Sequence, residues 1–138
     1  MENLTDTGPS PYLLALLLCD NIVSDPYTGK PTLIGIFSHF RADKFPMQFQ
    51  TSIYARFIDA EGKYNFRIEY AQVETNIVLS QAKFQDMKIP DRLEPFDFIT
   101  RTPVLSIPKP GKYEFRLYAN DKYIGRAFLT AEQTIRSE

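Results

Sequence analysis

A chain of 138 residues, 43% hydrophobic and 14% aromatic, has the length of one domain and enough apolar material for a core without a metal or disulfide staple. Sixteen basic against seventeen acidic residues exclude the basic excess on which phosphate-neutralising nucleic-acid binders rely. The lone cysteine, Cys19, excludes an intrachain disulfide and fits a reducing, cytoplasmic setting.

Residues 1–11, with Gly8, Pro9, Ser10 and Pro11, predict a mobile lead, followed by one domain over 12–134. Residues 12–19 (YLLALLLC) are too short to span a bilayer. No Lys or Arg precedes them, only Glu2 and Asp6, so the basic lead of a signal peptide is missing. Leu18 is too bulky for lipoprotein cleavage before Cys19. A buried strand is expected instead. In 24–30 (SDPYTGK), Asp25, Pro26 and Gly29 have the composition of a type I turn closed by a left-handed glycine. The chain then returns through 32–37 (TLIGIF) as a hairpin.

Residues 49–60 (FQTSIYARFIDA) predict the next strand, and Glu61-Gly62 a tight turn into 63–73 (KYNFRIEYAQV). Tyr64, Phe66, Ile68 and Tyr70 fall on one face, and Asn65, Arg67 and Glu69 on the other. That period of two predicts a strand with one buried and one wet face. After a turn at Thr75-Asn76, residues 77–84 return as a strand. Pro90, Pro95 and Pro103 punctuate 85–103 and leave room only for a short edge strand at 96–100. A further strand follows at 104–107, then the turn Pro108-Lys109-Pro110-Gly111. The last hairpin runs 112–119 (KYEFRLYA), Asn120-Asp121, 122–130. Tyr113, Phe115 and Leu117 should face inward, met by Ile124 and Phe128. Tyr118 and Tyr123 should flank the turn and pair on the wetter side. No stretch carries a usable helical stripe. The predicted fold is all-β, a mostly antiparallel two-sheet sandwich of about seven to nine strands with little or no helix.

Two blocks stand out together: ALLLCD (15–20) with GKPTLIGIF (29–37), and PGKYEFRLY (110–118) with IGR (124–126). In this order they resemble a family of short bacterial β-sandwich proteins known only as a domain of unknown function. The family's opening hairpin ends in LIG-hydrophobic-F, and its closing hairpin reads PG-x-Y-x-F-x-L. The resemblance covers residues 12–130. It implies a sandwich and a bacterial or phage-like origin, and no activity, because fold alone does not supply function.

The chemistry-bearing residues do not form a constellation. His39 is the only histidine, whereas zinc and cupin-type sites want several imidazoles or thiolates. His39 is expected at a strand end and Cys19 as a core thiol. Asp91, Glu94 and Asp97 follow no glycosidase spacing and read as loop carboxylates. Residues 24–27 (SDPY) suggest a calcium loop, but further aspartates are missing and Lys122 would repel a cation near the final turn. There is no phosphate-cradling loop and no nucleophile elbow. The expectation is a protein without catalytic, metal or cofactor residues.

Tyr54, Tyr118 and Tyr123 should face outward or flank turns, and with Arg56, Arg116 and Arg126 they could form a Tyr/Arg interaction surface. Phe40 and Arg41 lie in 38–50 (SHFRADKFPMQFQ), which is either a crossover over one sandwich end or an exposed binding loop. The function expected is a non-catalytic protein-interaction or structural module. Its partner would be an unknown protein or a second copy, reached in part through exposed sheet edges, with no nucleic acid and no membrane. The alternatives are a carbohydrate- or other small-ligand-binding sandwich and, below it, an enzyme whose site is not recognisable in sequence.

Overall fold

Strict alternation of side chains builds the core of the computed structural model, which describes residues 8–134. Its strands are β1 (Tyr12–Ser24), β2 (Pro31–Ile36), β3 (His39–Ala42), β4 (Met47–Phe49), β5 (Ser52–Ile58), β6 (Gly62–Gln72), β7 (Val78–Ile89), β8 (Phe96–Arg101), β9 (Leu105–Ile107), β10 (Gly111–Ala119) and β11 (Lys122–Gln133). The described residues form no helix. One sheet has the order β2-β1-β5-β8, the other β3-β11-β10-β6-β7, and β4 pairs with β9 in a small third sheet. Only β3 beside β11 is parallel. The all-β, two-sheet prediction is met: nine strands make the two principal sheets and two short ones lie outside them.

The core forms where the predicted faces meet. Tyr64, Phe66, Ile68 and Tyr70 from β6, with Tyr113, Phe115 and Leu117 from β10, are all buried. They pack onto Ile53, Ala55 and Phe57 of β5 and Phe98 of β8. Aromatic contacts join the sheets, with ring centroids of Phe57 and Phe66 5.2 Å apart and those of Phe66 and Phe98 5.6 Å apart.

The turns follow their local chemistry. Asp25 accepts from the Tyr27 N–H at 2.8 Å, and Gly29 takes φ +73°, closing the β1–β2 hairpin as the composition predicts. At the β10–β11 turn Asn120 and Asp121 both have positive φ, 49° and 66°, the requirement of a type I′ hairpin. The Asn120 side chain accepts from the Asn65 N–H at 2.9 Å, which ties the turn to β6. Asn120→Ala should therefore cost about 1–2 kcal/mol, through a poorer left-handed residue and a lost acceptor. Urea unfolding checks this, and an unchanged midpoint would count against it.

Four local expectations need correction. Residues 12–19 are a strand, but only Leu18 and Cys19 in it are buried. The outer face of β1 is also apolar and meets no second layer, so Tyr12 and Leu14 are exposed. The single strand at 49–60 is two, because Thr51 leaves the ladder: its N–H donates to Thr102 Oγ1 and its hydroxyl to the Cys19 carbonyl, each at 3.1 Å. The strand at 77–84 continues to Ile89 through a left-handed Asp86 (φ 57°). Phe128 faces outward, 44% exposed, whereas Ile124 packs on the core. An even spacing would put both on one face, but a register shift beside Leu117/Tyr118 inverts the phase between them. Of the predicted lead, residues 1–7 lie outside the described residues. Pro11 is buried, and the Pro9 carbonyl accepts from the Tyr64 hydroxyl at 2.7 Å.

Candidate functional site

The wet face of the five-stranded sheet collects its charged and aromatic side chains into one array. The register does this. Glu69 on β6 and Arg126 on β11 both stand opposite Arg116 on β10; Arg67 and Tyr123 stand opposite Tyr118; Phe128 stands opposite Glu114. Charges alternate through the array. Asp121 pairs with Arg67, whose Nε donates to Glu69 Oε2 at 3.2 Å. Glu69 Oε1 lies 3.7 Å from Arg116 Nη1. Arg116 Nε donates to Glu114 Oε2 at 2.7 Å, and Arg126 Nη1 to Glu114 Oε1 at 3.4 Å. Asn76, from the turn after β6, accepts from Arg116.

Aromatic rings hold the guanidinium planes. Arg67 Cζ lies 4.0 Å from the Tyr118 ring centroid, and Arg126 Cζ lies 4.7 Å from that of Phe128. Tyr118 and Tyr123 pack edge to face at 5.8 Å, as the sequence predicted. Glu114 is only 4% exposed. Its neighbour on β6 is Ala71, small enough to leave a hollow that Arg116 and Arg126 close from above. The bond to Glu114 raises the Arg116 pKa, with desolvation opposing it. Beside the array, Arg67, Glu69, Gln81, Lys83, Asn120 and Asp121 rim a shallow polar depression of about 360 Å³.

The remaining predicted surface residues do not join this face. Tyr54 and Arg56 lie on the outer face of the four-stranded sheet. Tyr54 is buried there, not outward in solvent. Its strand is central, with Leu17 and Ile99 on either side, and its hydroxyl donates to Asp97 Oδ1 at 3.0 Å. Burial comes first and that bond second in pushing the Tyr54 phenol up. Asp97 also binds Arg56 Nε at 2.7 Å, so it is a strand carboxylate with two partners, not a loop residue. Phe40 is no binding-loop residue either. It packs between Phe37 (4.9 Å) and Phe49 (5.0 Å) at one end of the sandwich, which makes 38–50 the packed crossover. Arg41 stays exposed and pairs with Glu132 at 3.0 Å.

The groups weighed for chemistry stay apart. His39 opens β3, exposed, 3.3 Å from the Ser38 hydroxyl. Cys19 is fully buried, and desolvation pushes its thiol up, which disfavours the reactive thiolate. Asp25 and Asp91 accept from N–H groups of their own turns. Among the described residues no group of three or more His, Cys, Asp or Glu side chains could hold a metal ion. One apolar cleft opens between β7 and β8, where the small side chains of Ser80 and Ala82 stand opposite Tyr70 and Ile68, which line its buried floor. At about 230 Å³ it falls below the roughly 300–1,000 Å³ usual for small-molecule sites.

Sequence reasoning missed Arg67, Glu69, Glu114 and Phe128 as members of the array. For Arg67, Glu69 and Glu114 the signal was the wet phase of KYNFRIEY and KYEFRLYA; Phe128, on β11, carried none, because its even spacing from Ile124 points it inward. Recognising it needed the cross-strand register, which two separate segments do not reveal. No curated protein matches the chain. Residues 14–132, from within β1 to within β11, match the model of DUF6941, a family of unknown function, and the chain belongs to that family.

Proposed function

We propose that this protein is a non-catalytic interaction module that holds a protein partner on the outer face of the five-stranded sheet. The observation that carries this reading is the set of guanidinium groups locked in place by carboxylates and rings. Arg and Tyr dominate binding hot spots. An arginine already held flat loses little rotamer freedom when a partner arrives. Glu114 and Arg116 form the support; Tyr123, Arg126 and Phe128 are the exposed contact residues. Lys83, next to Arg67 across the strands, has no ionic partner among the described residues, so the face favours a partner that brings a carboxylate beside an apolar side chain. Near-neutral overall charge supports a protein partner over nucleic acid.

The test uses the double variant Tyr123→Ala/Arg126→Ala, with circular dichroism to confirm that the sheet persists. A partner captured by the wild-type chain should bind the variant at least about tenfold more weakly. Equal affinity for both proteins would remove this face from consideration.

A further inference from the structure

The outer face of the four-stranded sheet is apolar, whereas the solvated face of an antiparallel sheet is ordinarily polar. The register sets its side chains in rows across the strands. The middle row is Leu17, Tyr54 and Ile99. On one side of it lie Ile36, Cys19, Ser52 and Arg101, and on the other Ala15, Arg56 and Asp97. Tyr12, Val23, Ile34, Ile36 and Ile99 share this face, and each is exposed by two-fifths or more. Together they leave about 500 Å² of apolar surface open, near the upper end for the largest patch on a monomer. With the polar groups of the flanking rows, the face approaches the roughly 800 Å² per partner of a standard interface.

The few charges on this face are incompletely used. The Tyr54 hydroxyl and Arg56 Nε both donate to Asp97 Oδ1, which leaves Oδ2 an open acceptor. Arg101 Nη1 donates to two neutral oxygens, the Asp20 carbonyl at 3.1 Å and Ser52 Oγ at 3.0 Å. Arg101 has no carboxylate partner among the described residues. Asp97 and Arg101 stand on β8, one row to either side of Ile99. Four positions of extended strand hold them roughly 13 Å apart, so they do not answer each other within one chain.

We infer that two copies pack these faces together about a two-fold axis running along the middle row. That rotation lays each strand over its own counterpart, reversed in direction. Ile99 meets Ile99 of the second copy, and Leu17 meets Leu17. The flanking rows exchange, so Arg101 comes over Asp97 of the second copy and supplies the bond that Oδ2 lacks. The dimer contains this pair twice. Facing sheets pack roughly 10 Å apart with their strands nearly aligned, a gap that an arginine and an aspartate side chain span together. Tyr12, two rows from the axis, comes toward Asn21 and Ile34 of the second copy. The unused donor and the unused acceptor lie at equal distances from the axis, which is the charge complementarity that argues for a second copy as the occupant. A two-fold contact closes on itself and does not propagate. It uses the other sheet from the partner face proposed above, so either reading can fail alone.

Light scattering and sedimentation of the full chain over a range of concentrations provide the test, with circular dichroism on every variant. The expected mass is twice the 15.9 kDa of one chain, falling to the single-chain value on dilution. Ile99→Lys sets two ammonium groups against each other on the axis and should abolish the dimer. Ile99 is open in the single chain, so the change spares its folding. If that variant nevertheless misfolds, Ile36→Lys, on the exposed edge strand, takes its place and should weaken the dimer at least about tenfold. Arg101→Gln should raise the dissociation constant about tenfold. Added salt should weaken the wild-type dimer more than the Arg101→Gln dimer, because only the wild type contains the ion pair. A single-chain mass at every concentration overturns the inference. So does a dimer that withstands the lysine substitution, or one whose affinity and salt response are the same without Arg101. Tyr123→Ala/Arg126→Ala should leave the dimer intact.

Discussion

Phe66→Ala should lower the unfolding free energy by about 3–5 kcal/mol. The residue is 1% exposed, and its ring contacts Phe57 and Phe98 in the opposite sheet and Tyr64 in its own. Truncation removes the transfer free energy of the ring and leaves a cavity that two hydrogen-bonded sheets cannot collapse to fill. Domains of this kind are stable by roughly 5–15 kcal/mol in total, so this one change should consume a large share. The melting temperature should fall by on the order of 10 °C. Ile99→Ala, on the open face of β8, serves as the comparison and should cost below about 1 kcal/mol. Calorimetry and urea titration read both. A loss at Phe66 no larger than at Ile99 would mean that the inter-sheet aromatics do not carry the stability of the sandwich.

Glu114→Ala should cost about 3 kcal/mol for a different reason. Its carboxylate is covered by Arg116 and Arg126, and Arg116 is itself largely withdrawn from water. Removing the anion leaves Arg116 partly desolvated, with the more distant Glu69 as its remaining carboxylate and the neutral Asn76 oxygen as its other acceptor. Replacing both members, Glu114→Met with Arg116→Met, should cost less than Glu114→Ala, because no unpaired charge remains in the hollow. The ordering is what urea titration must reproduce. If the double replacement is the more damaging, the pair stabilises the fold outright and is more than support for the surface array. The same series bears on function, since the array keeps its shape only while Glu114 anchors it.

The charged array was half legible in the sequence. Tyr118 and Tyr123 could be paired because they flank a two-residue turn, where sequence separation is spatial separation. Arg116 could be placed on the outer phase of its strand; Arg126 shares the even phase of Ile124 and Phe128, so only its residue type pointed to the surface. Their meeting with Arg67 and Glu69 was not readable, since it depends on β10 lying against β6 across a long connection. Tyr54 and Arg56 show the same gap from the other side. Their type and phase matched the array, but their strand belongs to the opposite sheet.

What the sequence by itself determined are the local properties: which residues alternate, where Asn120-Asp121 and Gly29 turn the chain, and which prolines confine β8 to an edge. These depend on neighbours within a few positions, through backbone sterics and the two-residue period. The tertiary structure alone decided which wet faces coincide, that Thr51 breaks a strand to bond Cys19, and that a bulge beside Tyr118 sends Phe128 outward. Those outcomes turn on pairing register and sheet order, and these are set by the whole core closing at once.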